Sequence, residues 1–185
     1  MALPARVDPA PPQEARAFRD ALARFATGVA FVTAAPDGEP AGLIVNSLVS
    51  VSLAPPLVSF CPARSSLTWR RMRRAGRFGV NVLGRRHERF VARATPPGAD
   101  RFAGLRWHPG PGGAPLLADA LATLECTLVA EHPAGDHSIV VGEVGRLAVS
   151  DVHDPLVFYA GAFRAYEDPA DLLNHLDEVG VRRPL

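Results

Sequence analysis

Cysteine, net charge and long apolar runs are all scarce in this chain of 185 residues. Its two cysteines, Cys61 and Cys126, are too few for a disulfide framework, and we expect two buried thiols in a reducing compartment. Twenty basic residues, all of them Arg, balance nineteen acidic ones to a net charge of +1, so no overall field favours nucleic acid or a membrane surface. No apolar run reaches the roughly 18 residues that a membrane-spanning helix requires.

Familiar catalytic motifs are also missing. The chain has neither G-x-x-x-x-G-K-[ST] nor G-x-G-x-x-G, which excludes the phosphate-binding loops that those spacings build. It has no G-x-S-x-G, so an α/β-hydrolase nucleophile has no support. His132 and His137 flank one turn, but no third ligand lies nearby in the sequence, and we expect no metal site.

The two ends of the chain differ in composition from its middle. Residues 1–13 are rich in Pro and Ala and lack the apolar core of a secretory signal, so we expect a disordered lead-in and a soluble, cytoplasmic protein. Residues 14–166 are predicted to form one domain, since no linker of domain scale interrupts them. Residues 167–185 are predicted to form a C-terminal helix and tail, with the helix over about 169–179.

The middle of the chain is mostly strand. Helical spacing of apolar residues over 14–25 predicts a first helix, and further helices are predicted over 65–75 and 85–94. The stretch 95–115 holds five Pro and five Gly, which indicates a long loop that serves as a lid or binding segment. Because short turns join most strands and few helices alternate with them, we predict a mainly β fold, an antiparallel barrel with peripheral helices. The predicted strands are 28–35, 39–46, 47–53, 57–61, 77–83, 121–131, 138–150 and 156–166, the last of which is a single strand or a pair.

Two segments carry candidate binding chemistry. The first is Arg64–Thr68, where a helix capped by Ser65 or Ser66 is predicted to begin. Its hydroxyls, its free backbone N–H groups and the preceding Arg together suit a phosphate, although ordinary helix capping explains the same residues. Over Asn46–Ser52 polar side chains alternate through an apolar neighbourhood. If they are buried they need hydrogen-bond partners, and a flat heteroaromatic ligand with several acceptors would supply them.

The segment 64–93 is strongly basic, with ten Arg and the single acid Glu88. Its Arg side chains either form a solvated helical face or attract an anionic ligand or an acidic partner protein. No recognised nucleic-acid motif accompanies them and the total charge is near zero, so we expect no binding to nucleic acid.

A series of short motifs runs along most of the chain. In order, they are Gly28-Val29 with Val32-Thr33, Asn46-Ser47 with Ser50–Leu53 and Pro55-Pro56, Ser65–Thr68, Phe78–Leu83, Asp100–Gly104, Leu124–Cys126, Ala134–Ile139 and Pro155–Tyr159. As an ordered set over residues 15–166 they resemble the short-chain flavin reductase family. Its members are reductase partners of two-component monooxygenases, so the resemblance implies an FMN-binding split-barrel fold, a homodimer and a separate flavin-dependent monooxygenase as partner.

The resemblance also implies residue roles. Asn46 and Ser47, with the backbone through Ser52, would line the isoalloxazine edge, while the Ser and Thr hydroxyls at the helix start would hold the flavin phosphates. The full set of implied flavin-binding residues is Asn46, Ser47, Ser50, Val51, Ser52, Cys61, Ser65, Ser66, Thr68, Arg101 and Phe102. Cys61 would pack beside the ring as a small apolar residue. Many relatives carry Thr-Ala-Asn-Ser where this chain has Ile44–Ser47, so this chain lacks a hydroxyl at position 44.

The nicotinamide side of the site is also implied by the resemblance. His137, in the Gly135–His137 turn, would position the nicotinamide, with Tyr159 and Phe163 as further residues of that pocket. For Asn81 we expect a packing role at a strand end instead.

The implied reaction joins two cofactors. NAD(P)H, with NADH favoured, would pass a hydride from nicotinamide C4 to N5 of FAD or FMN, and the reduced flavin would serve the partner monooxygenase. The protein would mainly bind and orient the two ring systems, because the cofactors carry the chemistry. Two alternatives stay open: a flavin-binding split-barrel carrier or sensor without reductase turnover, and a related flavin oxidase with another reductant or substrate.

Overall fold

The computed structural model describes residues 12–96 and 98–166. Its first helix, α1, spans Pro12–Leu22, so it begins inside the predicted lead-in and ends before the predicted Phe25. Residues 1–11 of the lead-in and the predicted C-terminal helix over about 169–179 lie outside the described residues. In the described part of the chain, no helix is long and apolar enough to cross a membrane.

The remaining elements follow the predicted order. Helix α2 spans Leu67–Met72 and continues as a 3-10 turn over Arg73–Ala75, while a 3-10 turn at Arg85–His87 precedes α3 at Glu88–Ala94. Each helix or strand segment predicted within the described residues therefore has a counterpart near its expected place. The strands are β1 Thr27–Gly28, β2 Ala30–Ala34, β3 Ala41–Val45, β4 Val49–Leu53, β5 Pro56–Phe60, β6 Arg77–Val82, β7 Trp107–Pro109, β8 Pro115–Leu117, β9 Ala122–Ala134, β10 His137–Val149, β11 Val157–Tyr159 and β12 Ala162–Arg164.

One antiparallel sheet organises the fold, with the strand order β3-β2-β6-β9-β10-β5-β4. A small sheet of β1, β11 and β12 and the β7–β8 hairpin complete the strands described. Leu43 and Val45 of β3 pack in the same core as Val58 and Phe60 of β5, near the opposite end of the large sheet. A sheet whose two ends share one core has to curl, so the strands form the predicted antiparallel split barrel, with its opening between β3 and β4.

The segment around β2 supplies side chains to two separate cores, because successive residues of a strand point to opposite faces. Ala30 and Val32 lie in the core inside the barrel. Val29 and Phe31 lie in a second core outside it, where the rings of Phe31 and Phe90 meet edge-on with 5.1 Å between centroids. The outer core packs α3 and β8 against the barrel wall.

Asn81 of β6 is fully buried and joins three strands, which confirms its predicted packing role. Its side-chain Nδ2 donates to the carbonyl of Phe31 at 3.0 Å and to Thr33 Oγ1 at 3.3 Å. Its Oδ1 accepts from the backbone N–H of Leu117 at 2.7 Å. Every polar atom of this buried amide therefore has a partner, and the network fastens β8 to β2 and β6.

The long loop predicted over 95–115 contains more structure than expected. Its second half forms the β7–β8 hairpin, with Trp107 opposite Leu117 and Pro109 opposite Pro115. The Glu125 carboxylate accepts from the backbone N–H of Gly112 at 3.1 Å, which anchors the hairpin turn to β9. Gly112 and Glu125 are 13 residues apart, so the Pro and Gly content of the loop alone does not predict this contact.

Gly142 of β10 packs directly against the barrel core and leaves no room there for a side chain. A methyl group there would collide with the ring of Phe78, whereas at Gly145 of the same strand the nearest atom lies 3.9 Å from such a methyl. We expect Gly142→Ala to lower the free energy of unfolding by about 2–3 kcal/mol through overpacking. Gly145→Ala should change it by less than about 0.5 kcal/mol. Urea unfolding of both variants measures the difference, and equal stability of the two would contradict this packing.

Candidate functional site

Two neighbouring clefts meet at Asn46, the exposed residue that follows β3. The first, which we call the Asn46 cleft, has a volume of about 320 Å³ and combines Asn46 and Arg101 with the apolar side chains of Ile44, Phe158 and Phe163. The second, the α1 groove, has a volume of about 920 Å³ and runs along α1. It shares Asn46 and Phe158 with the first cleft, and it also contains Ser47.

Arg101 joins three elements around the Asn46 cleft. Its Nη1 donates to the carbonyl of Gly42 in β3 at 3.0 Å and to Thr68 Oγ1 in α2 at 3.1 Å, and its Nε donates to the carbonyl of Ala94 in α3 at 3.2 Å. All three acceptors are neutral, so none of them cancels the guanidinium charge. The cleft therefore has a positively charged edge that suits an anionic group of a ligand.

The opening of the barrel is bridged at Ser47. Its Oγ accepts from the backbone N–H of Cys61 at 2.9 Å, which joins the residues that follow β3 to those that follow β5. Because the oxygen is used as an acceptor, its hydroxyl proton can still be donated. Asn46 thus lines both clefts, and Ser47 lines the α1 groove beside it with its hydroxyl proton still available to donate.

Ser66 caps α2, as its position predicted. Its Oγ accepts from the backbone N–H of Trp69 at 3.1 Å, and the helix and its 3-10 extension end at Gly76, which adopts a left-handed φ of 64°. Thr68 lies in the first turn and contacts Arg101. Ser65 is exposed. Of the three hydroxyls, only that of Thr68 is bonded to Arg101, while that of Ser66 caps the helix.

His137 begins β10 at the turn of the β9–β10 hairpin. Its Nδ1 lies 2.8 Å from Asp136 Oδ1, and the hydrogen bond from His137 holds the pKa of Asp136 below its ordinary value. The turn packs on the segment that leads to α2: Arg64 N–H donates to the carbonyl of Asp136 at 2.9 Å, and Ser138 N–H donates to that of Pro62 at 3.0 Å. The fold thus brings His137 beside the start of α2.

Other predicted site residues lie apart from this arrangement. Ser50, Val51 and Ser52 lie on β4, the last strand of the large sheet, and line neither of the two clefts. The half-buried ring of Phe102 lies in the outer core, with its centroid 5.3 Å from that of Phe31. 

The two aromatic residues expected near the nicotinamide belong to the small sheet. Phe163 lines the Asn46 cleft, and Tyr159 of β11 lies opposite Ala162 of β12. His137 belongs to the large sheet instead. The described contacts do not bring His137 together with Tyr159 and Phe163.

The two thiols differ in environment. Cys126 of β9 is buried in the barrel core, and burial, with a smaller contribution from the Glu125 charge, raises its pKa to about 12. Cys61 is only half-buried, at the bridge to Ser47. The expectation of two buried thiols is therefore confirmed for Cys126 and is wrong for Cys61, because Cys61 follows the end of β5 at the opening of the barrel.

Sequence reasoning missed Glu131, a half-buried carboxylate on β9. Its Oε1 accepts from Trp69 Nε1 at 3.3 Å and its Oε2 accepts from Arg73 Nη1 at 3.2 Å. Both partners lie on α2 or its extension, about 60 residues away in sequence, and no local motif marks such a contact.

A comparison of the sequence with known families gives a match over most of the chain. Residues 22–167 match the family described as the flavin reductase like domain. The chain belongs to this family. The predicted fold and the predicted class of enzyme, a flavin reductase, are thereby confirmed.

Individual relatives agree with this assignment. The chain is 40% identical over 152 residues to the reductase subunit HsaB of a flavin-dependent monooxygenase from Rhodococcus jostii, covering 82% of this chain and 78% of that protein. It is 44% identical over 151 residues to the FMN reductase (NADH) SmoA from Agrobacterium fabrum, covering 82% and 86%. A solved NADH:FAD oxidoreductase from Streptomyces globisporus, in complex with NAD and FAD fragments, is 33% identical with a TM-score of 0.80, covering 89% and 100%.

The different environments of the thiols predict selective labelling. Because the thiolate is the reactive form, a thiol reagent at neutral pH should modify Cys61 and leave Cys126 unmodified. The intact mass of the native protein should show one adduct, and that of the urea-unfolded protein should show two. Cys61→Ser is the matched control and should give no adduct while folded. Rapid native labelling of Cys126 would contradict the buried position.

Proposed function

We propose that this flavin reductase oxidises NADH and passes the hydride to FAD or FMN bound in the Asn46 cleft. The observation that carries the proposal is the meeting of Asn46, Arg101 and Phe163 in one cleft, with Thr68 bonded to Arg101 at its edge. The apolar walls suit the flat ring system, and the charge of Arg101 suits its phosphate-bearing chain. The residues present therefore fit a flavin.

The flavin-binding residues divide by the part of the flavin that they would contact. Asn46 and Ser47 bind the ring edge, and Cys61, held by Ser47, packs beside it. Ser50, Val51 and Ser52 contribute the backbone of β4, which has a strand partner on one side only within the described residues. Phe102 supports the cleft from the outer core. The phosphates are held by Ser65, Ser66, Thr68 and Arg101.

We assign the positioning of the nicotinamide to His137 and its apolar contacts to Tyr159 and Phe163. Because these residues lie on different sheets, this assignment requires the ring to reach from the Asn46 cleft, which Phe163 lines, towards the β9–β10 turn. Asp136 accepts a hydrogen bond from His137 Nδ1, which restrains the orientation of the imidazole and leaves Nε2 free of this contact. When bound, the flavin supplies the ring system that accepts the hydride. The chain contributes orientation and the exclusion of water, and no side chain has to act as a strong acid or base.

The reduced flavin serves a separate monooxygenase in the cytoplasm. This part of the proposal is supported by the relative whose name describes it as the reductase subunit of a flavin-dependent monooxygenase. The choice of NADH is supported by the names of SmoA, an FMN reductase (NADH), and of the Streptomyces globisporus NADH:FAD oxidoreductase. These names give FMN as the flavin of the first and FAD as that of the second.

A second copy of the chain covers α1 in a homodimer. Phe18, Leu22 and Phe25, on and just after this helix, are 68%, 56% and 73% exposed. Large apolar side chains clustered along one groove indicate a surface that is buried on association. The α1 groove adjoins Asn46, so the second copy would also shield the flavin ring from water.

Turnover tests the proposed activity. The purified protein should consume NADH, followed at the nicotinamide absorbance band, only when FAD or FMN is present, and repeats with each flavin and with NADPH identify the preferred pair. His137→Ala should raise KM for NADH about tenfold while the Kd of the flavin changes less than about twofold. His132→Ala is the matched control, because this exposed histidine lies on the same hairpin outside the turn.

Two outcomes would count against this assignment. Folded protein that binds flavin but consumes neither NADH nor NADPH would contradict the reductase and favour a flavin carrier or sensor. Equal effects of His137→Ala and His132→Ala would contradict the role of His137.

Association through α1 is tested by sedimentation velocity. The wild-type protein should sediment as a dimer, and Phe18→Asp or Leu22→Asp should shift it towards the monomer, because a charge would be buried in the contact. Gln13→Glu, on the same helix, should leave the dimer intact. A monomeric wild-type protein, or a dimer indifferent to both Asp variants, would contradict the proposed interface.

A further inference from the structure

Glu131 is a half-buried acid between the two halves of the proposed site. Its side chain is 22% exposed and lies between the β9–β10 hairpin and α2. On the helix side it accepts from the buried indole of Trp69 and from Arg73. On the hairpin side it is part of β9 itself, where it lies opposite Val140 of β10, three residues after His137.

These bonds keep Glu131 ionised. Burial raises its pKa, but the hydrogen bonds from Ser138, Trp69 and Arg73 and the charge of Arg73 outweigh burial and hold the pKa below its ordinary value. Around neutral pH the side chain is therefore a constant acceptor for Trp69 and Arg73 of α2 and its extension.

The hairpin has a second, separate attachment to α2. Near the helix start, the backbone of the turn bonds to the segment that precedes α2, through Arg64 to Asp136 and Ser138 to Pro62. Glu131 holds the same helix further along, at Trp69 and Arg73. Burial of Trp69 and Met72 in the barrel core seats the helix, and the two polar attachments at different points along it add to the definition of its direction against the hairpin.

We propose that Glu131 is a positioning residue that sets the geometry between the two cofactors. It acts by holding α2, with the hydroxyls of Ser66 and Thr68, at a fixed orientation to the turn that carries His137. The inference rests on the proposed function, because it assigns the flavin phosphates to α2 and the nicotinamide to His137. Reaction between two bound rings depends steeply on their relative placement, so loosening this contact should impair productive binding of NADH.

Two substitutions at Glu131 test the idea. Glu131→Gln keeps an acceptor for the buried Trp69 N–H, so the fold should be retained while the charged bond to Arg73 is lost. We expect it to raise KM for NADH about threefold, and Glu131→Leu, which removes both bonds, to raise it about tenfold. The Kd of the flavin should change less than about twofold, since the Ser66 cap and the contact between Thr68 and Arg101 persist.

Arg73 provides an independent check. Arg73→Gln should reproduce the effect of Glu131→Gln, and the double variant should show no larger effect, because both changes break the same bond. Arg74→Gln is the matched control: it removes the exposed ion pair of Arg74 with Asp37, which does not involve the hairpin, and KM for NADH should stay at the wild-type value.

The outcomes separate the two proposals. A residue with a purely structural role would lower Tm and leave the KM of the folded enzyme unchanged. Wild-type turnover with unchanged KM for NADH in folded Glu131→Gln and Glu131→Leu would therefore overturn the inference alone. Absence of wild-type turnover would overturn the proposed function and the inference with it.

Discussion

The opening of the barrel between β3 and β4 is the constraint on which the candidate site depends. The large sheet curls far enough for β3 and β5 to share a core, but no ladder of hydrogen bonds joins β3 to β4. Side chains have to span the gap instead. Ser47 bonds across it to the backbone of Cys61, and Arg101 ties β3 to α2 and α3. Asn46 and Ser47 follow β3 at this opening and line the two clefts there.

Ser47 and Arg101, whose contacts lie around the opening, also belong to the candidate binding surface. Arg101 uses neutral acceptors to hold its position, so it keeps the charge that an anionic ligand needs. Ser47 and Ser66 accept backbone hydrogen bonds through their oxygens and can still donate their hydroxyl protons. In the proposed site, stability and flavin binding therefore use different hydrogen-bonding capacities of the same side chains.

Local signals in the sequence predicted the parts of this fold that depend on neighbouring residues. The cap at Ser66, the left-handed Gly76 at the end of the helix and the hairpin turn before His137 are all set by a few adjacent residues. Contacts between distant residues could not be read in this way. The bond of Glu131 to Trp69 and the three acceptors of Arg101 exist only because the curled sheet brings remote segments together.

The carboxylates around the proposed nicotinamide side are consistent with a reaction that needs no acid or base from the protein. Hydrogen bonds lower the pKa values of both Asp136 and Glu131, which keeps these groups ionised around neutral pH. A general acid requires the opposite shift, since it has to hold a proton at working pH. In the proposed function Asp136 and Glu131 serve as acceptors that orient His137 and α2. Hydride passage between two cofactors asks for that kind of contribution from the protein, because the cofactors carry the chemistry and the protein places them.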